Sequence, residues 1–182
     1  MYAHGHRLDL TTHDTSVQAK TNSPTILART LPRLLRASTS AMSSSPTNKD
    51  ANCLFCKIID GKIPSYKLAE TESAYAFLDI GPLSKGHSLV IPKYHAAKLH
   101  ELPDDAMADL LVLAKRIALA SGAKDYNILQ NNGRIAHQVV DHVHFHMIPK
   151  PDEEQGLGIE WPITSPSKEE LQKLFEDMKQ KL

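Results

Sequence analysis

The run His142-Val143-His144-Phe145-His146-Met147-Ile148-Pro149 places a histidine at every second position of an otherwise apolar segment. An alternation with a period of two is typical of a half-buried β-strand. It predicts that Val143, Phe145 and Met147 enter the core and that the three imidazoles emerge together on the opposite face. Residues two apart on a strand are separated by about 6.5–7 Å, so neighbouring imidazoles could bracket a phosphate-sized group. A solvated face that happens to be rich in histidine is the alternative, but three histidines in register favour a shared chemical task.

Length and charge limit the classes of protein to which the chain can belong. At 182 residues it is long enough for one domain with a substantial core and an additional tail. The formal net charge is zero and the sequence pI is about 7.2, so charge gives no reason to expect nucleic acid or a membrane surface as the main partner. No apolar run approaches the roughly 18–20 residues of a membrane-spanning helix.

Residues 1–49 differ in composition from the rest of the chain and are predicted to lie outside the folded domain, which spans 50–182. They are rich in serine and threonine, and no acidic residue occurs between Asp14 and Asp50. Arginines at helical spacing oppose leucines within 25–41, a pattern typical of a mitochondrial targeting segment. A disordered tail is the alternative. Translation from Met42 would omit most of the segment and favour the cytoplasm and nucleus over the mitochondrion.

The folded part is predicted to be an α+β domain whose strands form an antiparallel meander. A turn at Cys53–Cys56 leads into a short helical segment that ends at Gly61 and Pro64. Apolar and β-branched runs then predict the first four strands at 66–68, 74–80, 87–92 and 126–131, followed by the histidine strand.

Two longer helices are predicted. The first, Asp104 to Ser121, lies between the third and fourth strands and is followed by Gly122. Its apolar stripe comprises Met107, Leu110, Leu111, Ala114, Ile117 and Ala118. The second begins at a capping box, Ser167-Lys168-Glu169-Glu170, and runs toward Lys181. Its apolar residues are expected to face inward: Leu171, Leu174, Phe175 and Met178.

Three histidines on one face could bind a metal ion or act in covalent catalysis. Histidines that alternate on one strand offer few converging geometries for a single tetrahedral ion. Histidine is also a nucleophile that forms intermediates with transferable groups. His144 has an imidazole on either side to fix its tautomer and to donate to phosphate oxygens, so it is the predicted nucleophile.

The histidine run resembles the His-x-His-x-His signature of the histidine triad superfamily. Further blocks resemble the Hint branch of that superfamily: Phe55 through Pro64, Ala76-Phe77-Leu78-Asp79-Ile80, Gly86-His87 through Pro92-Lys93, and Asn131 through Gln138. The similarity covers about residues 52–151. It implies a histidine-triad fold and a homodimeric hydrolase that cleaves the P–N bond of adenosine 5′-monophosphoramidates, without an organic cofactor.

The resemblance also implies a role for individual residues. His144 would form a nucleotidyl intermediate that water hydrolyses, with His146 contacting the α-phosphate and Gln138 near the scissile bond. The catalytic set comprises His142, His144, His146 and Gln138. Asp79 would accept hydrogen bonds from the ribose hydroxyls, and Asn131 would lie near ribose and phosphate. The apolar residues expected around the purine are Leu54, Phe55, Ile58, Phe77 and Ile80, for which an ordinary core position is the alternative.

Val139 departs from the family pattern. Animal Hint proteins have a serine at this position near the leaving group, and valine has no hydroxyl to donate. Protonation of the leaving group is therefore expected to come from His146, His137 or water. Val139 remains in the predicted substrate-binding set.

Cys53 and Cys56 form the second group of candidate site residues. A lone Cys-x-x-Cys is a weak signal. With His95 and His142 it completes a Cys₂His₂ set suited to tetrahedral zinc, and some histidine triad branches carry a structural zinc at matching positions. A buried or redox-sensitive free pair is the alternative. His87 and His100 are expected to be structural or surface residues.

Three functions compete. The first is the phosphoramidase, and the second is a dinucleoside polyphosphate hydrolase of the same superfamily. The third is a nucleotide-sensing or scaffold protein whose pocket only binds. The predicted homodimer would form through the helix at 104–121 or the strand at 126–131.

Overall fold

The computed structural model describes residues 48–160 and 162–182. The predictions for residues 1–47 therefore lie outside the described residues. Within the described residues, no helix is both long enough and apolar enough to span a membrane.

Between residues 48 and 160, five strands form one antiparallel sheet, which confirms the predicted α+β class. They are β1 (Lys67–Glu70), β2 (Ala74–Leu78), β3 (Ser88–Pro92), β4 (Tyr126–Gln130) and β5 (Phe145–Pro149), in the spatial order β1-β2-β3-β5-β4. The first three strands form the expected meander. β5 then inserts between β3 and β4, with Leu89 and Leu129 both opposite His146. This interior position suits a strand whose last three residues are all buried.

In the part of the chain that the structure describes, four α-helices accompany the sheet: α1 (Leu54–Ile59), α2 (Asp104–Met107), α3 (Leu110–Ser121) and α4 (Lys168–Lys179). The helix predicted over 104–121 was wrong as one continuous element, because the chain breaks between α2 and α3. At the break the carboxylate of Asp109 accepts a 2.8 Å hydrogen bond from the hydroxyl of Ser73, at the β1–β2 turn. Hydrogen bonds from Thr71 and Ser73 hold the pKa of Asp109 below its usual range. This contact with the sheet competes with a regular helix.

The apolar stripe of α3 also differs by one residue from the prediction. Leu110, Ala114, Ile117 and Ala118 are buried as expected, but Leu111 is 59% exposed and Leu113 takes its place in the core. Leu113 continues the three- and four-residue spacing that starts at Leu110. The helix ends at Gly122, whose φ of +69° is the left-handed conformation that favours glycine.

The core forms two clusters on opposite faces of the sheet. Along β2, Ala74 and Ala76 belong to the cluster beneath α3, whereas Tyr75 and Phe77 belong to the cluster that contains α1. This alternation is that of a strand buried on both faces. Val143 and Met147 are fully buried in the α3 cluster, as predicted, and Phe145 packs against it. The histidines therefore point toward α1.

The C-terminal helix α4 starts where the sequence predicted. Ser167 Oγ accepts from the Glu170 amide at 3.2 Å, and a carboxylate oxygen of Glu170 accepts from the Ser167 amide at 2.7 Å. The predicted inward orientation of its apolar residues was wrong. Their side chains are 51–56% exposed, because α4 does not bury them against the described part of the chain: Leu171, Leu174, Phe175 and Met178.

Candidate active site

The histidine run enters the sheet later than its alternation predicted. The strand was expected over 142–149, but β5 begins at Phe145. Before it, the amide of His142 donates to the carbonyl of Val140, and the amide of Val143 donates to the carbonyl of Ala96. These bonds to nearby loops replace a strand ladder. The histidine face is also covered rather than solvated, since Phe55 of α1 packs edge-on against both His142 and His144.

His144 is 5% exposed, and one hydrogen bond fixes its tautomer. Its Nδ1 lies 2.6 Å from the carbonyl oxygen of His142. A carbonyl can only accept, so Nδ1 carries the proton and Nε2 keeps a free lone pair. Burial lowers the pKa of His144 from its ordinary value, although the bond to the carbonyl opposes this change. A neutral imidazole with a free Nε2 is the form that a nucleophile requires.

His146 has the opposite tautomer, and His87 sets it. His87 is 3% exposed, and its Nδ1 accepts a 3.1 Å hydrogen bond from the backbone amide of Leu83. The proton of His87 is therefore on Nε2, which donates to Nδ1 of His146 at 2.9 Å. His146 then carries its own proton on Nε2. Burial lowers the pKa of His146 to about 4 and also lowers the pKa of His87, so both rings are neutral near pH 7.

His87 was expected to be a structural or surface residue, and its contact with the triad was missed. Its position just before β3 gave no sign of that contact. Because β3 pairs with β5, with Leu89 opposite His146, the two histidines meet at the sheet. That pairing is the signal that would have identified His87, and it depends on topology rather than on local pattern.

A cavity of about 370 Å³ opens beside His146. Phe55, Ile58 and Phe77 form buried walls, whereas Ile80 and Val139 at the mouth are 90% and 74% exposed. This volume suits a small-molecule ligand. The cavity brings together eight of the predicted substrate-binding residues: Leu54, Phe55, Ile58, Phe77, Asp79, Ile80, Val139 and His146.

Asp79 follows the end of β2 and lines the cavity with a partly free carboxylate. Its Oδ1 accepts from the Gly81 amide at 2.8 Å, and its Oδ2 lies 3.6 Å from Nε2 of His87. The second oxygen is beyond ordinary hydrogen-bond distance of His87 and can accept from a ligand.

Asn131, Gln138 and His144 do not line this cavity. Gln138 is 2% exposed, and its amide nitrogen donates to the carbonyls of Ala97 at 2.6 Å and Val140 at 3.1 Å. Its oxygen accepts from the Gly133 amide at 2.6 Å. In this structure Gln138 therefore holds the loop between β4 and β5 in place.

The four predicted metal ligands lie together. The Sγ atoms of Cys53 and Cys56 are 3.4 and 3.7 Å from Nδ1 of His142. Nδ1 of His95 is 3.6 Å from Cys56 Sγ and 3.2 Å from Nδ1 of His142. Bond lengths of about 2.3 Å to sulfur and 2.0–2.1 Å to nitrogen give a tetrahedron with S–N edges of about 3.6 Å and N–N edges of about 3.3 Å. The observed spacings match these edges.

The protonation of His142 also suits a ligand role. Its Nε2 lies 2.9 Å from the carbonyl oxygen of Pro92, so Nε2 carries the proton and Nδ1 presents its lone pair to the cysteines. Burial lowers the pKa of His142 to about 4, which keeps the ring neutral. Burial also raises the pKa of the Cys56 thiol, so a cation would be needed to hold that sulfur as a thiolate.

A second cluster, Asp79, His87 and His146, does not have this chemistry. The Leu83 amide donates to Nδ1 of His87, which leaves the proton on the nitrogen that faces His146. A ring nitrogen that carries a proton has no lone pair for a metal. The two clusters thus differ in the protonation of their ring nitrogens, although both gather ligand-type side chains.

Comparison with known proteins places these features in a family. The HIT domain matches residues 60–153. The adenosine 5′-monophosphoramidase of Schizosaccharomyces pombe is 60% identical over 131 residues, which cover 72% of this chain and 98% of the relative. The adenosine 5′-monophosphoramidase of Saccharomyces cerevisiae is 54% identical over 79% of this chain and 91% of the relative. A crystal structure of a histidine triad nucleotide-binding protein from Candida albicans has a TM-score of 0.69 and 52% identity, covering 71% of this chain and 96% of that one.

Proposed function

The chain belongs to the HIT domain family, and from this premise we propose that it is an adenosine 5′-monophosphoramidase. It hydrolyses the P–N bond of AMP conjugates, such as AMP–NH₂ or AMP–lysine, through a nucleotidyl-histidine intermediate. The observation that carries this function is the complementary pair of tautomers. His144 offers a free Nε2 lone pair, and its neighbour His146 offers an Nε2 proton.

The reaction has two displacement steps. Nε2 of His144 attacks phosphorus, the new N–P bond forms, and the bond to the leaving amine breaks as the amine takes up a proton. Water then attacks phosphorus and releases AMP and free His144. Nε2–H of His146 donates to a phosphate oxygen, where a preorganised donor in a buried site stabilises the charge of the transition state.

The proton for the amine comes from solvent water. Val139 lacks a hydroxyl, and the Nε2 proton of His146 is used for the phosphate. The mouth of the cavity is open to water beside Val139 and Ile80.

Substitution of His144 tests this function directly. His144→Ala is expected to abolish turnover of AMP–lysine, with AMP binding retained because the walls of the cavity are unchanged. His100→Ala is the matched control, since the His100 side chain is 73% exposed, and it should behave as the parent protein. Full activity of His144→Ala would rule out the mechanism.

Two further assays separate the competing functions. A phosphoramidase hydrolyses AMP–lysine faster than diadenosine polyphosphates, whereas the reverse order would indicate the polyphosphate hydrolase. An acid-labile, base-stable phosphohistidine adduct trapped during turnover would exclude a protein that only binds nucleotide.

We further propose that Cys53, Cys56, His95 and His142 hold a structural zinc ion. The thiol and imidazole donors and their near-tetrahedral spacing support this proposal. Bound zinc would cross-link α1 to the segment that precedes β5. It would take no part in the chemical steps of the reaction. Elemental analysis should find about one zinc per chain, and Cys56→Ser should lower that content. A parent protein that folds fully without metal would contradict the proposal.

We propose that the protein is a homodimer, because two exposed surfaces lie on the elements predicted to form the interface. β4 is an edge strand with Tyr126 and Ile128 44% and 40% exposed. The outer face of α3 exposes Leu111, Val112 and Leu119 by 58–73%. An edge strand with exposed apolar side chains and an apolar helix face favour association with a second copy. Sedimentation of the parent protein and of Leu119→Glu should give a dimer and a monomer, respectively.

The compartment is proposed to follow from the translation start. A protein started at Met42 would be cytoplasmic and nuclear, whereas residues 1–49 would direct the longer form to mitochondria. Fusion of residues 1–49 to a fluorescent protein tests this directly, because a diffuse signal would contradict a targeting role.

A further inference from the structure

We propose that Cys53 and Cys56 form a redox switch that controls the active site. A hydroperoxide such as H₂O₂ oxidises the pair to an intramolecular disulfide, which releases the metal and disables the nucleotide pocket. This inference rests on the proposed function and extends it to regulation.

The two cysteines are placed so that they can bind a metal or bond to each other, but not both. Cys53 precedes the first residue of α1, and Cys56 lies one turn later, with the Lys57 amide donating to the Cys53 carbonyl at 3.1 Å. The two sulfurs lie within 4.8 Å of each other, so a local rearrangement of this turn can bring them to bonding distance. A disulfide requires an S–S distance of about 2.05 Å, and bonded sulfurs no longer provide two thiolate ligands.

The chemistry is a two-electron oxidation of the thiols and reduction of the peroxide. One metal-held thiolate attacks a peroxide oxygen, the O–O bond breaks, and a sulfenic acid and water form with uptake of one proton. The second thiolate attacks that sulfur, and the S–O bond breaks to release a second water with uptake of another proton. Two thiolates, one H₂O₂ and two protons thus give one disulfide and two waters, with the cation set free. The pair is 8% and 2% exposed, which restricts attack to an oxidant nearly as small as water.

The turn that carries the cysteines also carries a wall of the active site. Phe55 lies between them, lines the cavity, and has its ring centroid 5.3 Å from that of His144. The same ring lies 5.8 Å from those of His142 and Phe77. Because drawing the sulfurs together must move the residues between them, disulfide formation displaces Phe55 from the nucleophile and from the pocket.

His142 provides the second connection. Its Nδ1 faces both sulfurs, and its carbonyl holds Nδ1 of His144. When the sulfurs no longer hold the metal, the imidazole of His142 loses its partner and the backbone that fixes the His144 tautomer loses a support. Oxidation therefore weakens both nucleotide binding and nucleophilic attack.

Peroxide titration of the purified full chain tests the switch. Four quantities are followed together: the Cys53–Cys56 disulfide by peptide mass, zinc release with a chromogenic chelator, AMP affinity by calorimetry, and turnover of AMP–lysine. We expect disulfide and free zinc to appear in parallel, with at least a tenfold loss of kcat/KM and weaker AMP binding. A dithiol reductant with added zinc should return all four quantities to their starting values. Loss of activity by methionine oxidation would not be reversed by this treatment.

The redox-inert variant Cys53→His provides the control, because it can keep four metal donors but cannot form the disulfide. Peroxide should leave its AMP affinity unchanged. Formation of the disulfide with unaltered AMP affinity and turnover would overturn the switch, and so would inactivation without the disulfide. If the reduced protein never turns over AMP–lysine, the proposed function fails, while AMP affinity still tests the switch.

Discussion

The carbonyl oxygen of His142 accepts a 2.6 Å hydrogen bond from Nδ1 of His144. The same residue presents Nδ1 to two cysteine sulfurs and donates from Nε2 to the Pro92 carbonyl. One residue thus joins the cysteine cluster to the candidate nucleophile. The next histidine, His146, is orientated from the other side by His87. Three histidines of one short motif therefore have three different sets of partners.

His87→Ala is expected to lower kcat by about 10- to 100-fold, the usual effect of removing a group that orientates a functional histidine. Without the Nε2–H of His87, nothing forces the proton of His146 onto the nitrogen that serves the phosphate. KM should change less than kcat, because His87 does not line the cavity. Steady-state kinetics measure the separate changes in kcat and KM, and ¹⁵N chemical shifts of His146 report its tautomer. An unchanged tautomer with reduced kcat would show that His87 acts in another way.

Asp79→Asn is expected to raise KM for AMP–lysine by about tenfold, since a hydrogen bond to a charged group contributes about 1.5–3 kcal/mol. The Oδ2 of Asp79 is the oxygen available to ribose hydroxyls. The matched substrate is a 2′,3′-dideoxy AMP conjugate, which cannot donate those bonds. Equal losses for the two substrates would place the role of Asp79 elsewhere, for instance in the charge that it presents to His87.

The pKa of His146 predicts a loss of stability in mild acid. Burial lowers this pKa from 6.5 to about 4, so between these values the unfolded chain binds more protons than the folded one. The free energy of unfolding therefore rises with pH in this window and falls as the pH drops from 6.5 toward 4. A tenfold change in an acid dissociation constant corresponds to about 1.4 kcal/mol. The free energy of unfolding lost through His146 across this window is therefore at most a few kcal/mol, reduced by water that reaches the ring from the cavity.

Urea unfolding from about pH 7 to about pH 4.5 measures this dependence, with His146→Asn as the control. The variant should lose stability less steeply, although burial also lowers the pKa values of His142, His144 and His87, which will preserve part of the slope. Identical slopes for parent and variant would show that His146 is not held neutral by burial.

The sequence predicted features that depend on local chemistry. The alternation around Val143 and Met147 identified the core face, and the capping box at Ser167 placed the start of α4. The Cys-x-x-Cys and two distant histidines were grouped correctly in space, since all four donor atoms lie within 4.8 Å of one another. Their metal-binding role stays a prediction.

Features that depend on tertiary contacts were missed. Asp109 interrupts the long helix because Ser73, 36 residues earlier, binds its carboxylate. His87 joins the triad only through the pairing of β3 with β5. The periodicity of α4 showed an apolar face, but periodicity cannot tell whether that face is covered, and Phe175 is 52% exposed. For Asp109 and His87 the deciding partner is distant in the sequence.

Val139→Ser is expected to change the choice of leaving group rather than the binding of nucleotide. The resemblance places this position near the leaving amine, and the side chain is 74% exposed at the mouth of the cavity. A hydroxyl there could donate to the amine in place of water.

General acids contribute about 10²–10⁴-fold when ideally placed, so a single engineered hydroxyl should raise kcat by at most about tenfold. The gain should be larger for alkylamines than for an aniline, because the aryl ring spreads the charge that develops on the departing nitrogen and so lessens its need for a proton. Val139→Ala separates the hydroxyl from the loss of the methyl groups, and both variants should stay within about 0.5 kcal/mol of the parent in stability. If serine and alanine give the same rates on AMP–alkylamine and AMP–anilide substrates, water protonates the leaving group from a site that Val139 does not reach.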